Sequence, residues 1–160
     1  MFRVEKTFKF DAAHRLITDE GIFYDKNKCG SIHGHTYSVT FIFAAGQLND
    51  YGFVKDFAEL GVLKKWIDQH WDHATIVSTN DIKLLTFLKE SGDRHFEFEG
   101  TISAENMAKY LFEKAKELVT DVKICQVRLK ETETSVATYE ESHGTHVFGS
   151  GVVHVGNGGE

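Results

Sequence analysis

Along residues 2–14 apolar side chains alternate with polar ones: Phe2, Val4, Phe8, Phe10, Ala12 and His14 share one parity, with Lys6 as the exception. A period of two predicts a strand with one buried face. The alternation returns over 33–43, where His33, His35, Tyr37, Val39, Phe41 and Phe43 share a parity. Residues 15–32 between them carry Gly21 and Gly30 and are long for a plain hairpin. Long connections in compact domains often serve function. The period then lengthens. Phe57, Leu60, Leu63 (or Lys64), Ile67 and Trp71 recur at helical spacing, with Asp56 and Glu59 placed as an N-cap and its capping-box partner. A shorter helix is predicted over 80–91, ended by Gly92, and HFEFE (95–99) reads as a small strand. Ser103 opens a second amphipathic helix with Met107, Leu111, Ala115 and Leu118 on its buried stripe. Period two closes the chain: Cys125, Val127, Leu129 and Glu131 share a face, and 135–140 turns back as a last strand.

The order strand, strand, helix, helix, strand, strand (ββααββ) predicts an α+β domain over 1–143. We expect an antiparallel four-stranded sheet with two main helices on one face. Such a sheet leaves its other face and its edges open, and exposed edges are usually covered, here by self-association. Residues 144–160 are glycine-rich, with His143, His146 and His154 in or beside them, and read as a C-terminal tail without assigned function.

Composition narrows the function classes. The chain has 160 residues, 41% of them apolar, with 13 Phe, enough for one domain with a real core. A net charge of −6 and no basic stripe argue against nucleic acid as a partner. No apolar run approaches a membrane span, and the charged, alternating start is not a signal peptide. Two distant cysteines, Cys29 and Cys125, make a poor disulfide framework and point to a reduced, cytoplasmic protein.

CGSIHGH (29–35) concentrates the candidate chemistry. His33 and His35, two apart on a strand, project to one side, and His14 ends the buried face of the other strand. If the strands pair, three neutral imidazoles converge on one cation and leave Zn²⁺ an open position. Cys29 fits two roles. As a fourth ligand it closes a structural zinc; as a thiol beside an open metal it acts as base or nucleophile. Glu131 continues an apolar face, which is costly for a carboxylate unless it is paired or ligand-bound, or reaches solvent at the strand end. Asp72 and His73 can meet only if the first helix has already ended.

Taken together, FDAAHRL (10–16), CGSIHGH (29–35), GFVKDFAELG (52–61), WDHATI (71–76), ISAENMA (102–108) and VRLKETETSVATYEE (127–141) resemble the 6-pyruvoyl-tetrahydropterin synthase family over Phe8 to Glu141. Three residues between Cys29 and His33 resemble its queuosine-pathway branch, the 6-carboxytetrahydropterin synthases. The 6-pyruvoyl enzymes usually have two more there. The resemblance implies Zn²⁺ on His14, His33 and His35, Cys29 as proton-abstracting base, His73 with Asp72 as relay, and Glu131 gripping the pterin. It also implies a hydroxyl contact from Ser103, 7,8-dihydroneopterin triphosphate as substrate, and the tunnelling (T-) fold as a homo-oligomer with active sites at subunit interfaces. Ile76-Val77 replaces the common Leu-Asn, and ISAEN lacks the usual proline. Arg15, Lys26 and Lys28 read as solvated loop charges, with a triphosphate contact as the alternative. Two rival readings are the 6-pyruvoyl reaction and a non-catalytic, zinc-stabilised oligomeric module.

Overall fold

The computed structural model describes residues 1–18, 20–21 and 28–141. The tail 144–160, His143 and Lys26 lie outside the described residues. The first two strands form as the alternation predicts. β1 (Phe2–His14) and β2 (His33–Ala45) pair antiparallel along their whole length, from Phe2↔Ala45 to His14↔His33. β5 (Lys123–Lys130) runs antiparallel on β2, and β6 (Val136–Tyr139) antiparallel on β5.

The sheet is larger than the four antiparallel strands expected. β3 (Ala74–Ser78) lies on the other side of β1 and parallel to it, with Ala12 opposite Ala74. β4 (His95–Phe98) runs parallel to β3. The result is a six-stranded mixed sheet, ordered β4-β3-β1-β2-β5-β6. β3 escaped the periodicity because it is covered on both sides. Ile76 enters the main core while Val77 packs with Leu84, Leu85 and Leu88. A strand buried on two faces shows no alternation. The departures at Ile76-Val77 are thus core residues of a strand.

Helix placement follows. α1 (Gly61–His70) and α3 (Ala104–Leu118) share one face, their Leu63, Ile67, Leu111 and Phe112 meeting Phe10, Tyr37, Val39 and Phe41 of the sheet. α2 (Ile82–Ser91) carries the Leu84–Leu88 cluster on Val77 and so lies on the opposite face, a correction to helices on one side only. α1 also starts later than its pattern. Asp56 caps a turn instead, accepting from the Ala58 N–H at 2.8 Å, and Glu59 pairs with Lys55. Phe57 stays half exposed. α2 and α3 begin and end as their caps dictate. Asp81 and Ser103 accept from Leu84 and Asn106 N–H groups, and Gly92 takes the left-handed φ of 75° that ends α2.

One parity assignment fails in β5. The register slips between Ile42↔Gln126 and Phe43↔Ile124, so Cys125 becomes the extra residue of a bulge. Ile124 turns inward in its place, and the Cys125 thiol donates to the Ile42 carbonyl at 3.3 Å. Cys125 and Cys29 are not bridged. No helix among the described residues is long and apolar enough to cross a membrane.

Candidate functional site

The β1–β2 ladder ends on the pair His14↔His33. Strand parity turns His14, His33 and His35 to the core side at that end, where one candidate nitrogen from each lies within 4.8 Å of the others. Backbone carbonyls fix the rings. Ile102 O is 3.1 Å from His14 Nδ1, and Ser31 O is 2.8 Å from His33 Nδ1. A carbonyl only accepts, so each Nδ1 carries the hydrogen and the neutral ring's lone pair sits on Nε2. Burial pulls the His14 pKa down to about 4, with His33 adding to the shift. Burial also lowers His35, against the raising pull of Glu131. His35 Nε2 is buried with no hydrogen-bond partner. Three converging imidazoles, one with a buried and unpartnered Nε2, fit a divalent cation such as zinc.

Glu131 follows β5 and reaches the same place. Its Oε1 lies 3.5 Å from His14 Nε2 and 3.8 Å from His35 Nε2. The buried Tyr37 hydroxyl sits 3.4 Å from that oxygen and 3.2 Å from His14 Nε2. Glu131 and Ser103 line one cleft with Leu16, Glu105 and Ser135, of about 200 Å³. Complete ligand pockets are usually ~300–1,000 Å³, so this cleft has the size of a part-pocket.

Cys29 lies in the turn Lys28–Gly30, its carbonyl accepting from the Leu16 N–H at 2.8 Å. Its sulfur is not among the ligand atoms gathered by the three histidines. Ligand atoms on a tetrahedral zinc lie within roughly 3.6 Å of one another, given bonds of ~2.0–2.3 Å. The three imidazoles thus form a candidate metal group on their own.

Asp72 and His73 do meet, at 3.0 Å, because α1 ends at His70. His73 takes a left-handed φ of 57°, the one non-glycine positive φ among the described residues. Its N–H donates to the Asp11 carbonyl at 2.6 Å, and the Asp11 N–H donates to Asp72 Oδ1 at 2.9 Å. Burial works to raise the Asp72 pKa, but the Asp11 N–H and His73 outweigh it and hold the carboxyl below its ordinary value. Asp11 also accepts from the Thr36 hydroxyl at 2.5 Å. Asp11 and Thr36 have the opposite parity to the histidines. His73 lines a cleft of about 440 Å³ with Asp11, Thr36 and His35, and with Asp11 and Asp72 it forms a group of its own beside the triad's.

Residues 3–142 match the 6-pyruvoyl tetrahydropterin synthase family. The chain belongs to that family. It is 32% identical to the 6-carboxy-5,6,7,8-tetrahydropterin synthase of Haemophilus influenzae, over 88% of this chain and 100% of that protein. It is 30% identical to the enzyme of the same name from Aquifex aeolicus, over 88% and 98%. Among solved structures, the Caenorhabditis elegans 6-pyruvoyl tetrahydropterin synthase superposes with a TM-score of 0.65 at 26% identity, over 88% of this chain and 96% of that one. A Wolinella succinogenes protein superposes at 0.74 with 20% identity, over 88% and 98%, a likeness of fold.

In this member of the 6-pyruvoyl tetrahydropterin synthase family, Arg15 is not a solvated charge. Its guanidinium forks onto Asp81 at 2.6 and 2.7 Å, and Asp81 is buried at the start of α2. Lys28 is exposed. Sequence reasoning missed Asp11, Asp81 and the polar role of Tyr37. The available signals were an acid on the alternate parity of FDAAH and a hydroxyl inside an apolar run.

Proposed function

We propose that the chain is a zinc-dependent 6-carboxy-5,6,7,8-tetrahydropterin synthase of the queuosine pathway. It converts 7,8-dihydroneopterin triphosphate and water to 6-carboxy-5,6,7,8-tetrahydropterin, acetaldehyde and triphosphate. The observation that carries the reading is the convergence of three imidazoles, with the unpartnered His35 Nε2, beside the cleft of Glu131 and Ser103. The names of the Haemophilus and Aquifex relatives favour this reaction over the 6-pyruvoyl one.

His14, His33 and His35 hold the zinc, which supplies Lewis-acid polarisation of substrate oxygen and stabilises the negative charge left when a carbon-bound proton departs. Glu131 accepts from the pterin's amino-pyrimidine edge as a charged, two-oxygen acceptor. The Ser103 hydroxyl, already accepting from Asn106, has its own hydrogen to give to the ring. Cys29 removes the carbon-bound proton, and His73, oriented by Asp72, moves a proton on the opposite side of that carbon.

The relay comes from a second copy, as the family resemblance implies for sites between subunits. The active site is then shared between subunits of a homo-oligomer, and the partial cleft of about 200 Å³ gains its remaining wall from that copy. The test is incubation of the zinc-loaded protein with 7,8-dihydroneopterin triphosphate and mass analysis of the pterin. A 6-carboxy product with acetaldehyde is expected. A 6-pyruvoyl product would transfer the protein to the other reaction, and an unchanged substrate would favour the non-catalytic zinc module.

A further inference from the structure

Tyr37 has one hydrogen to give and two acceptors in reach. Its oxygen lies 3.2 Å from His14 Nε2 and 3.4 Å from Glu131 Oε1. With the His14 hydrogen held at Nδ1 by the Ile102 carbonyl, Nε2 presents a lone pair, so the Tyr37 hydroxyl must be the donor in either contact. The phenol has little freedom to do otherwise. Its ring is fully buried, stacked on Phe10 at 5.1 Å and edge-on to His35 at 5.4 Å.

The two acceptors belong to different tasks. His14 Nε2 is the lone pair a cation would take, and Glu131 is the carboxylate assigned above to the pterin. We propose that Tyr37 is a positioning residue that couples metal occupancy to the grip on the pterin. Without metal the hydroxyl donates to His14 Nε2, the nearer acceptor. Once the metal takes that lone pair, the hydroxyl turns to Glu131 Oε1. This hydrogen bond fixes the carboxylate for the ring and keeps it from swinging the short distance towards the cation, since Oε1 already lies within 3.8 Å of two ligand nitrogens. The inference rests on the reading of Glu131 as the pterin acceptor.

The test needs no turnover. Unsubstituted pterin, which has no side chain to reach the metal, is titrated by fluorescence into the zinc-loaded and metal-free full-length protein. Wild type, Tyr37→Phe and Glu131→Gln are compared. In wild type, zinc should tighten pterin about tenfold, the low end for one hydrogen bond to a charged acceptor. Tyr37→Phe should lose that tenfold in the zinc-loaded protein and bind within about twofold of wild type without metal. Coupling is reciprocal, so saturating pterin should tighten zinc by the same factor in wild type and leave it unchanged in Tyr37→Phe. A competing chelator reads that side. Equal weakening in both metal states would overturn the coupling and leave Tyr37 a packing role. Loss of zinc from Tyr37→Phe would also overturn it, by making the hydroxyl part of the metal set. If Glu131→Gln binds pterin as wild type does in both states, the parent reading falls and takes this one with it.

Discussion

Two polar clusters lie back to back across β1. On the core side His14, His33 and His35 form a partly enclosed set that gathers one nitrogen from each ring. On the other side Asp11, Asp72 and His73 form an open, acidic set whose imidazole is 75% exposed. The first suits a cation, because three imidazole nitrogens lie close enough to share one. The second suits proton movement, because a carboxylate orients an imidazole that solvent or a neighbouring chain can reach. Alternating parity along one strand supplies both. It also sets them in two groups, which the proposed function combines across a subunit boundary.

The largest effect should come from striking the enclosed set. His33→Ala is expected to lose zinc and bring turnover below detection, because two imidazoles hold the ion poorly; metal analysis beside a pterin assay checks both. Cys29→Ala should keep near-stoichiometric zinc while turnover falls ~10²–10⁴-fold, the usual range for a positioned acid–base group. Zinc lost in step with activity would instead put the thiol in the coordination shell and favour the structural module.

The boundary between the clusters can be probed by mixing. Cys29→Ala and His73→Ala should each be nearly inactive alone. Co-assembled at random, they should recover up to about a quarter of wild-type activity, since some shared sites draw the intact group from each chain. Confirmed mixing with no recovery would place both groups in one chain. The smallest effect is on the stability of a helix that borders the enclosed cluster. Ser103→Ala removes the α3 cap, which costs about 1 kcal/mol and lowers the melting temperature by a few degrees, read by calorimetry, with zinc content unchanged.

The enclosed cluster was legible because it obeys a local rule. His14 shares the parity of Phe10 and Ala12, and His33 and His35 that of Tyr37 and Val39, so pairing two neighbouring strands assembles them. The open cluster was only half legible. Asp72 and His73 are adjacent in the chain, but Asp11 reaches them through a parallel contact with a strand some sixty residues away. No period announced that strand, since Ile76 and Val77 are buried on opposite faces. The capping pattern at Asp56 misled for a related reason. Lys55 engages both Glu59 and Asp121, and the side chain meant to reach back to the cap is tied elsewhere. Cys125 slipped out of phase because a bulge, invisible in composition, inserts one residue into β5.

Every imidazole of the triad comes from the first two strands, between residues 14 and 35. A denatured chain therefore keeps a short loop able to gather the same three nitrogens at modest entropic cost. A ligand raises the folding free energy only by its preference for the native over the denatured ensemble. Chelating the metal should thus lower the unfolding temperature less than its affinity for the folded protein suggests. A molecule held between Ser103 and Glu131 differs, since that cleft, walled also by Leu16, exists only once distant parts of the chain have docked. Its binding free energy passes to the native state almost undiminished.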